Sequence, residues 1–261
     1  MSRFFLSIEF DGASFSGWQI QPDAPTVEGT IEQALHLLFQ QPMKIIGQGR
    51  TDACVNAKAQ IAHIDINPKD WNRFRKTTSS NPEENRSLLC HRLNRILGPS
   101  IYISNIWEVK EDAHARFDAL YRSYMYRIVT KPSPLRAHQS WYAGKDWDLE
   151  VLNELAVQII GEHDFDLLSK TNPESYNTFC KIVESNWSVE EDELFYRITA
   201  NRFLRNMVRR LVGTMWHLQD MDLNSSSTLL WIHDLKDHQI YTAPAHGLCL
   251  TRVQYPEGIF I

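Results

Sequence analysis

Phe4, Leu6, Ile8 and Phe10 recur at every second position near the start of the chain, the period of a strand with one buried face, so residues 3–10 are read as a strand. The period then changes. Val27, Ile31, Leu35 and Leu38 return every three to four residues behind Thr26, a suitable N-cap, and predict a helix. Strands at 43–46 and 59–66, a helix at 82–97 and a strand at 101–107 complete the order βαββαβ. The second half repeats it. A strand at 121–130 is followed by a helix at 149–160 that Gly161 stops, strands at 180–189 and 194–200, and a helix at 202–218. A shorter helix behind a Ser225–Ser227 cap and a strand at 247–253 close the chain. The expectation is an α+β (α/β) protein of two ferredoxin-like βαββαβ halves, residues 1–110 and 111–261. Their mixed, mainly antiparallel sheet carries helices on one face and leaves the other open as a cleft in which nucleic acid is a natural occupant.

With 261 residues, 43% of them hydrophobic, the chain can bury a substantial core, which excludes a disordered or fibrous protein. No apolar run reaches the roughly 18 residues of a membrane span, and the first strand begins directly after Met1, so a cytoplasmic protein without membrane attachment is expected. Cys54, Cys90, Cys180 and Cys249 are scattered without a CxxC pair, which points to reduced thiols rather than a disulfide framework or a metal cluster.

A net charge of -5 argues mildly against a nucleic-acid partner, but the charge is segregated. Arg202, Arg205, Arg209 and Arg210 fall within nine residues that contain no acid, and Arg73, Arg75 and Lys76 lie around Phe74 just after Trp71. On the expected helix Arg202, Arg205 and Arg209 stand at i, i+3 and i+7 and share a face able to grip phosphates, opposite a stripe of Phe203, Met207, Leu211 and Met215. The acids gather elsewhere. Glu190, Glu191, Asp192 and Glu193 read as solvated residues of a hairpin turn, and Asp146, Asp148, Glu150 and Glu154 mark a helix start.

The most informative stretch is GQGRTDACVNA, residues 47–57. Gly47 and Gly49 are read as permitting a tight turn after a strand, which places Asp52 at a strand end with Arg50 and Thr51 beside it. Three further stretches join it: HARFDALYRSYMYRI from His114, NRFLRNMVRRLVG from Asn201 and APAHGLCLTRVQYP from Ala243. Together with FDGASFSGWQIQP from Phe10, and in this order and spacing, they resemble the TruA-type tRNA pseudouridine synthases along nearly the whole chain.

That resemblance implies isomerisation of uridine to pseudouridine in the anticodon arm of tRNA, at about positions 38, 39 and 40, by a homodimer that uses no cofactor and no metal. By the same resemblance Asp52 matches the family's catalytic aspartate, Tyr124 the tyrosine that stacks on the target uracil and helps remove its carbon 5 proton, and Arg209 the arginine that pairs with the aspartate and keeps it ionised. Arg50, Thr51, Arg116, Arg202 and Arg205 are the expected tRNA-binding residues, with Arg50 entering the base stack when the target flips out. Arg73, Arg75, Lys76, Arg92 and Arg95 would contact RNA shape.

The residues agree with that chemistry. Cleaving a glycosidic bond by hydrolysis ordinarily takes two carboxylates, whereas Asp52 has no acidic companion in its loop, which fits a base that is detached, turned and reattached without water. Tyr126 lies two residues beyond Tyr124 on the same strand face and reads as a core aromatic.

Two positions depart from the family's GRTDAGVHA. Cys54 replaces the glycine and costs on the order of 1 kcal/mol if that position needs a positive φ. Asn56 replaces the histidine and cannot titrate. With the aspartate retained and no histidine base placed by the motif, Cys54 is not read as a nucleophile. The alternative to an active isomerase is a tRNA-binding or RNA-folding module of the same fold whose catalysis these two changes have weakened.

Overall fold

The alternation from Phe4 to Phe10 folds as strand β1 (Ser2–Phe10) in a computed structural model that describes residues 1–75, 81–170, 177–220, 231–233, 235 and 240–261. The chain forms two compact units, Met1–Leu120 with Leu250–Ile261, and Tyr121–Cys249.

In the first unit the order is β1, α1 (Val27–Phe39), β2 (Ile45–Gly47), β3 (Asn56–Ile66), α2 (Pro68–Arg75), α3 (Pro82–Leu97) and β4 (Ile101–Val109). The strand β10 (Leu248–Gln254), expected to end the second half, has its residues from Leu250 onward in this unit, next to β3. Strand β1 lies between β4 and β3 and pairs antiparallel with both, and β2 pairs antiparallel with β3. Thr26 caps α1 by accepting from the Gly29 N–H, and Val27, Ile31, Ala34, Leu35 and Phe39 form its buried stripe.

Helix α2 was not anticipated. Trp71 and Phe74, stacked at 5.5 Å, bury their rings there with Phe4 and Phe39, so the aromatic half of the basic-aromatic cluster belongs to the core and not to an RNA surface. Arg73 turns to the Phe39 carbonyl and Asp70, and Arg92 lies over the Phe74 ring; Arg95 is exposed, and Lys76 falls outside the described residues. The opposite face of this sheet is partly covered: Phe5 and Ile61 pack with Val109, Ala113, Ala115 and Ile259.

In the second unit the order is β5 (Tyr121–Val129), β6 (Trp141–Tyr142), α4 (Leu149–Gln158), β7 (Gly161–Asp164), β8 (Phe179–Glu190), β9 (Glu193–Ala200) and α5 (Met207–Leu218). The strands run β5-β9-β8-β7 with antiparallel neighbours, and β6 adds a parallel pair to β5. Asp148 caps α4 through the Glu150 and Val151 N–H groups, as the acidic cluster suggested. The helix expected behind Ser225–Ser227 lies outside the described residues. Among the described residues no helix is long and apolar enough to cross a membrane.

Two expectations are corrected here. The hairpin acids are not all solvated: Glu193 is buried and holds Arg127 at 3.3 Å and Arg136, because its side chain lies beside two guanidinium groups that replace water. The helix thought to begin at Arg202 begins at Met207. Asn206 adopts φ +62°, outside the right-handed helical region, and the preceding residues attach to β5 instead, with Arg122 donating to the Asn201 carbonyl at 2.7 Å. Arg202 and Arg205 therefore share no helix face with Arg209, and Phe203 leaves the apolar stripe that Met207, Leu211 and Met215 do form.

Candidate functional site

In the first unit the Asp52 loop rests on the turn that follows β1. The carbonyl of Thr51 accepts from the Trp18 N–H at 3.1 Å, the Cys54 N–H reaches the Phe15 carbonyl at 3.4 Å, and the Gly12 N–H donates to Asn56 Oδ1 at 2.9 Å. Gly12 and Gly17 admit this approach. A Cβ on Gly12 would meet the Val55 carbonyl oxygen at 2.3 Å, and one on Gly17, at φ +107°, would meet the Thr51 oxygen at 2.8 Å. The stretch from Phe10 to Trp18 is thus the cradle of the GRTD loop.

The other end of the loop is pinned by buried amides. Gln48 donates from Nε2 to Gln60 Oε1, and Gln60 donates from Nε2 to the Gly49 carbonyl, both at 3.0 Å. Gly47 and Gly49 do not have the role expected of them, since neither has a positive φ. Gly47 is required because a Cβ would stand 2.6 Å from the Trp18 ring, while Gly49 has open space around it.

Asp52 is half-buried at the start of a β-turn closed by the Val55 N–H to its own carbonyl at 3.2 Å. Cys54 occupies the third position of that turn with φ +64°, a conformation in which glycine is unstrained. The departure at Cys54 therefore does carry backbone strain. The thiol is exposed, so little packing is lost on its removal, and Cys54→Gly is expected to stabilise the chain by up to about 1 kcal/mol, read as a rise of about 2 °C in Tm. A fall in Tm would show that Cys54 is held by contacts stronger than the strain. Asn56 has a structural part at its position, accepting from the Gly12 N–H without a titrating ring.

Arg50 is solvent-exposed, whereas Thr51 is buried and its hydroxyl lacks a hydrogen-bond partner among the described residues. Arg116 is exposed, its guanidinium 5.8 Å from the ring of Phe117. Its segment is anchored by His63 on β3, whose Nδ1 accepts from the Ala115 N–H at 3.2 Å. Burial first, then the positive charge of Arg3, pushes the His63 imidazole down to about 4.

In the second unit Tyr124 and Tyr126 do share a face of β5. Tyr126 is fully buried, donates to the Pro244 carbonyl at 2.8 Å and packs so closely on Gly247 that a Cβ there would meet its ring at 2.7 Å. Burial drives its phenol pKa upward. Tyr124 is half-buried, its ring edge-on to Phe203 at 5.2 Å. Phe203 comes from the segment before α5, so the loss of helix at 201–206 is what brings it to the tyrosine.

Arg209, in the first turn of α5, donates from Nε to the Ala243 carbonyl at 2.8 Å and from Nη1 to Asn206 Oδ1 at 3.3 Å. The Ala243 N–H returns a bond to the Arg209 carbonyl at 3.0 Å. Arg210 is used structurally, on the carbonyls of Leu167 and Ser169. Arg205 is exposed and Arg202 half-buried. Sequence reasoning missed Trp18, Gln48, Gln60, Phe203 and Asn206; the one available signal was the asparagine directly before an apolar helical repeat, an N-cap pattern that moves the helix start to Met207.

A family profile described as tRNA pseudouridine synthase matches residues 155–256. Over 268 aligned residues the chain is 36% identical to the tRNA pseudouridine synthase A of Porphyromonas gingivalis, covering 100% of both chains. It is 37% identical over 263 residues to that of Azobacteroides pseudotrichonymphae, covering 100% of this chain and 99% of the relative. With the protein of the same name from Chlorobaculum tepidum the identity is 34% over 252 residues, 96% of each chain. Similarity of this extent includes both units and every segment described above, and the chain belongs to the tRNA pseudouridine synthase family.

Proposed function

We propose that this chain isomerises uridine to pseudouridine in the anticodon arm of tRNA, at about positions 38, 39 and 40, acting as a cytoplasmic homodimer without metal or cofactor. The observation that carries the reading is the Asp52 turn, a half-exposed carboxylate on a backbone fixed at both ends.

In the proposed reaction the Asp52 carboxylate acts at ribose carbon 1, as nucleophile or as stabiliser of positive charge, while the bond to uracil nitrogen 1 breaks. The detached base turns, its carbon 5 bonds to carbon 1, the carbon 5 proton leaves and nitrogen 1 gains a proton. The ring of Tyr124 stacks on the uracil and its hydroxyl helps remove the carbon 5 proton. Arg209 keeps the aspartate ionised and directed. Arg50, Thr51, Arg116, Arg202 and Arg205 serve tRNA binding, with Arg50 and Arg116 presenting exposed cations.

Unmodified tRNA transcripts incubated with the protein, then treated with a carbodiimide that marks pseudouridine and copied by reverse transcriptase, should stop at anticodon-arm uridines. Stops confined to another arm would move the substrate assignment, and no stops at all would remove it.

A further inference from the structure

We propose that Asn206 is a positioning residue for Arg209, a role that rests on the reading of Arg209 given above. Asn206 is the N-cap of α5, where an asparagine side chain ordinarily accepts from the unpaired N–H groups of the first turn. Here it makes no such bond. Its Oδ1 accepts from Arg209 Nη1 at 3.3 Å, and its backbone sits at φ +62°, which asparagine and glycine tolerate better than other residues. The left-handed backbone is not the extended conformation from which a side chain caps the first turn, and the oxygen is turned to the guanidinium instead.

The second restraint has a comparable origin. The carbonyl of Ala243 accepts from Arg209 Nε at 2.8 Å, and the segment that carries it lies against α5 at Gly213, where a Cβ would meet the Tyr241 oxygen at 2.5 Å. Asn206 and Ala243 thus hold Nε and Nη1 separately, which fixes the plane of the guanidinium as well as its position.

Asn206→Gly removes the oxygen and keeps the backbone conformation without strain, so it separates positioning from folding. Steady-state kinetics on unmodified tRNA should show kcat lowered about tenfold with KM within twofold of the parent and no loss of Tm. Asn206→Asp, which retains an acceptor at the same place and tolerates the same φ, should recover most of kcat. Asn206→Gly working at the parental rate, or Asn206→Asp as impaired as the glycine variant, would overturn the proposal. Arg209→Gln measured alongside tells the two failures apart. If it is inactive while Asn206→Gly is fully active, only the role of Asn206 falls; if it is fully active, the reading of Arg209 falls as well.

Discussion

Asp52→Asn is expected to bind tRNA as the parent does and to lose isomerisation by on the order of a thousandfold or more. The substitution is nearly isosteric, and the loop depends on backbone groups that it leaves untouched: the Thr51 carbonyl held by Trp18, the Asp52 carbonyl held by Val55 and the Gly12 N–H on Asn56. Folding should therefore be preserved, with Tm close to that of the parent. The carboxamide carries no negative charge to offer ribose carbon 1, either as nucleophile or as counter-ion, and the reaction has no other source of it in the loop. Single-turnover rates compared with filter-binding affinities give the test. An Asn variant within tenfold of the parental rate would remove Asp52 from the chemistry, while equal losses of rate and affinity would show a disturbed loop.

The second large effect is on stability. His63 is buried, accepts from the Ala115 N–H through Nδ1 and lies near Arg3, so protonation would set an N–H against an N–H and add charge in a place that water does not reach. Its imidazole is held at about 4 in the folded chain, against an ordinary 6.5 when unfolded. Between these values the unfolded chain binds more protons than the folded one, so stability rises with pH. The contribution is complete above pH 6.5 and is lost as the pH falls toward 4, at most about 3 kcal/mol from this one group. Urea unfolding at pH 7.5, 5.5 and 4.5 should show the decline. His63→Asn, whose Oδ1 accepts where Nδ1 did and does not titrate, should flatten it across the same range. Equal declines in parent and variant would assign the pH dependence to other groups.

Features that depend on neighbours in sequence were legible. Thr26 before a repeat of apolar residues, Asp148 before another, and the alternation of β1 and β5 identify their elements because cap and period are local. The Pro-led helix expected near residues 82–97 forms there for the same reason, and Asn81, not singled out from the sequence, caps it. What failed depends on distant partners or on a single dihedral angle. The spacing of Arg202, Arg205 and Arg209 fits a helix, which the φ of Asn206 and the bonds of this segment to distant partners break: Asn201 to Lys181 of β8 and Arg122 of β5, and Arg205 to Lys170. Glycine at position 47 is explained by Trp18, twenty-nine positions earlier, and the burial of Glu193 by Arg127 and Arg136 on a different strand and loop. Of the proposed site residues, Asp52, Tyr124 and Arg209 are singled out by their motifs; Trp18, Phe203 and Asn206 stand inside the same motifs, where nothing local marks the contacts they make, and Gln60 lies outside them.

The most direct measurement follows tritium from unmodified tRNA labelled at uracil carbon 5. An isomerase that forms a bond from ribose to carbon 5 must release that hydrogen to water while the uracil stays attached, so tritium release without free uracil is the predicted result. Tight tRNA binding with no tritium released would contradict it and leave an RNA-binding module, and release of free uracil would make the reaction hydrolysis.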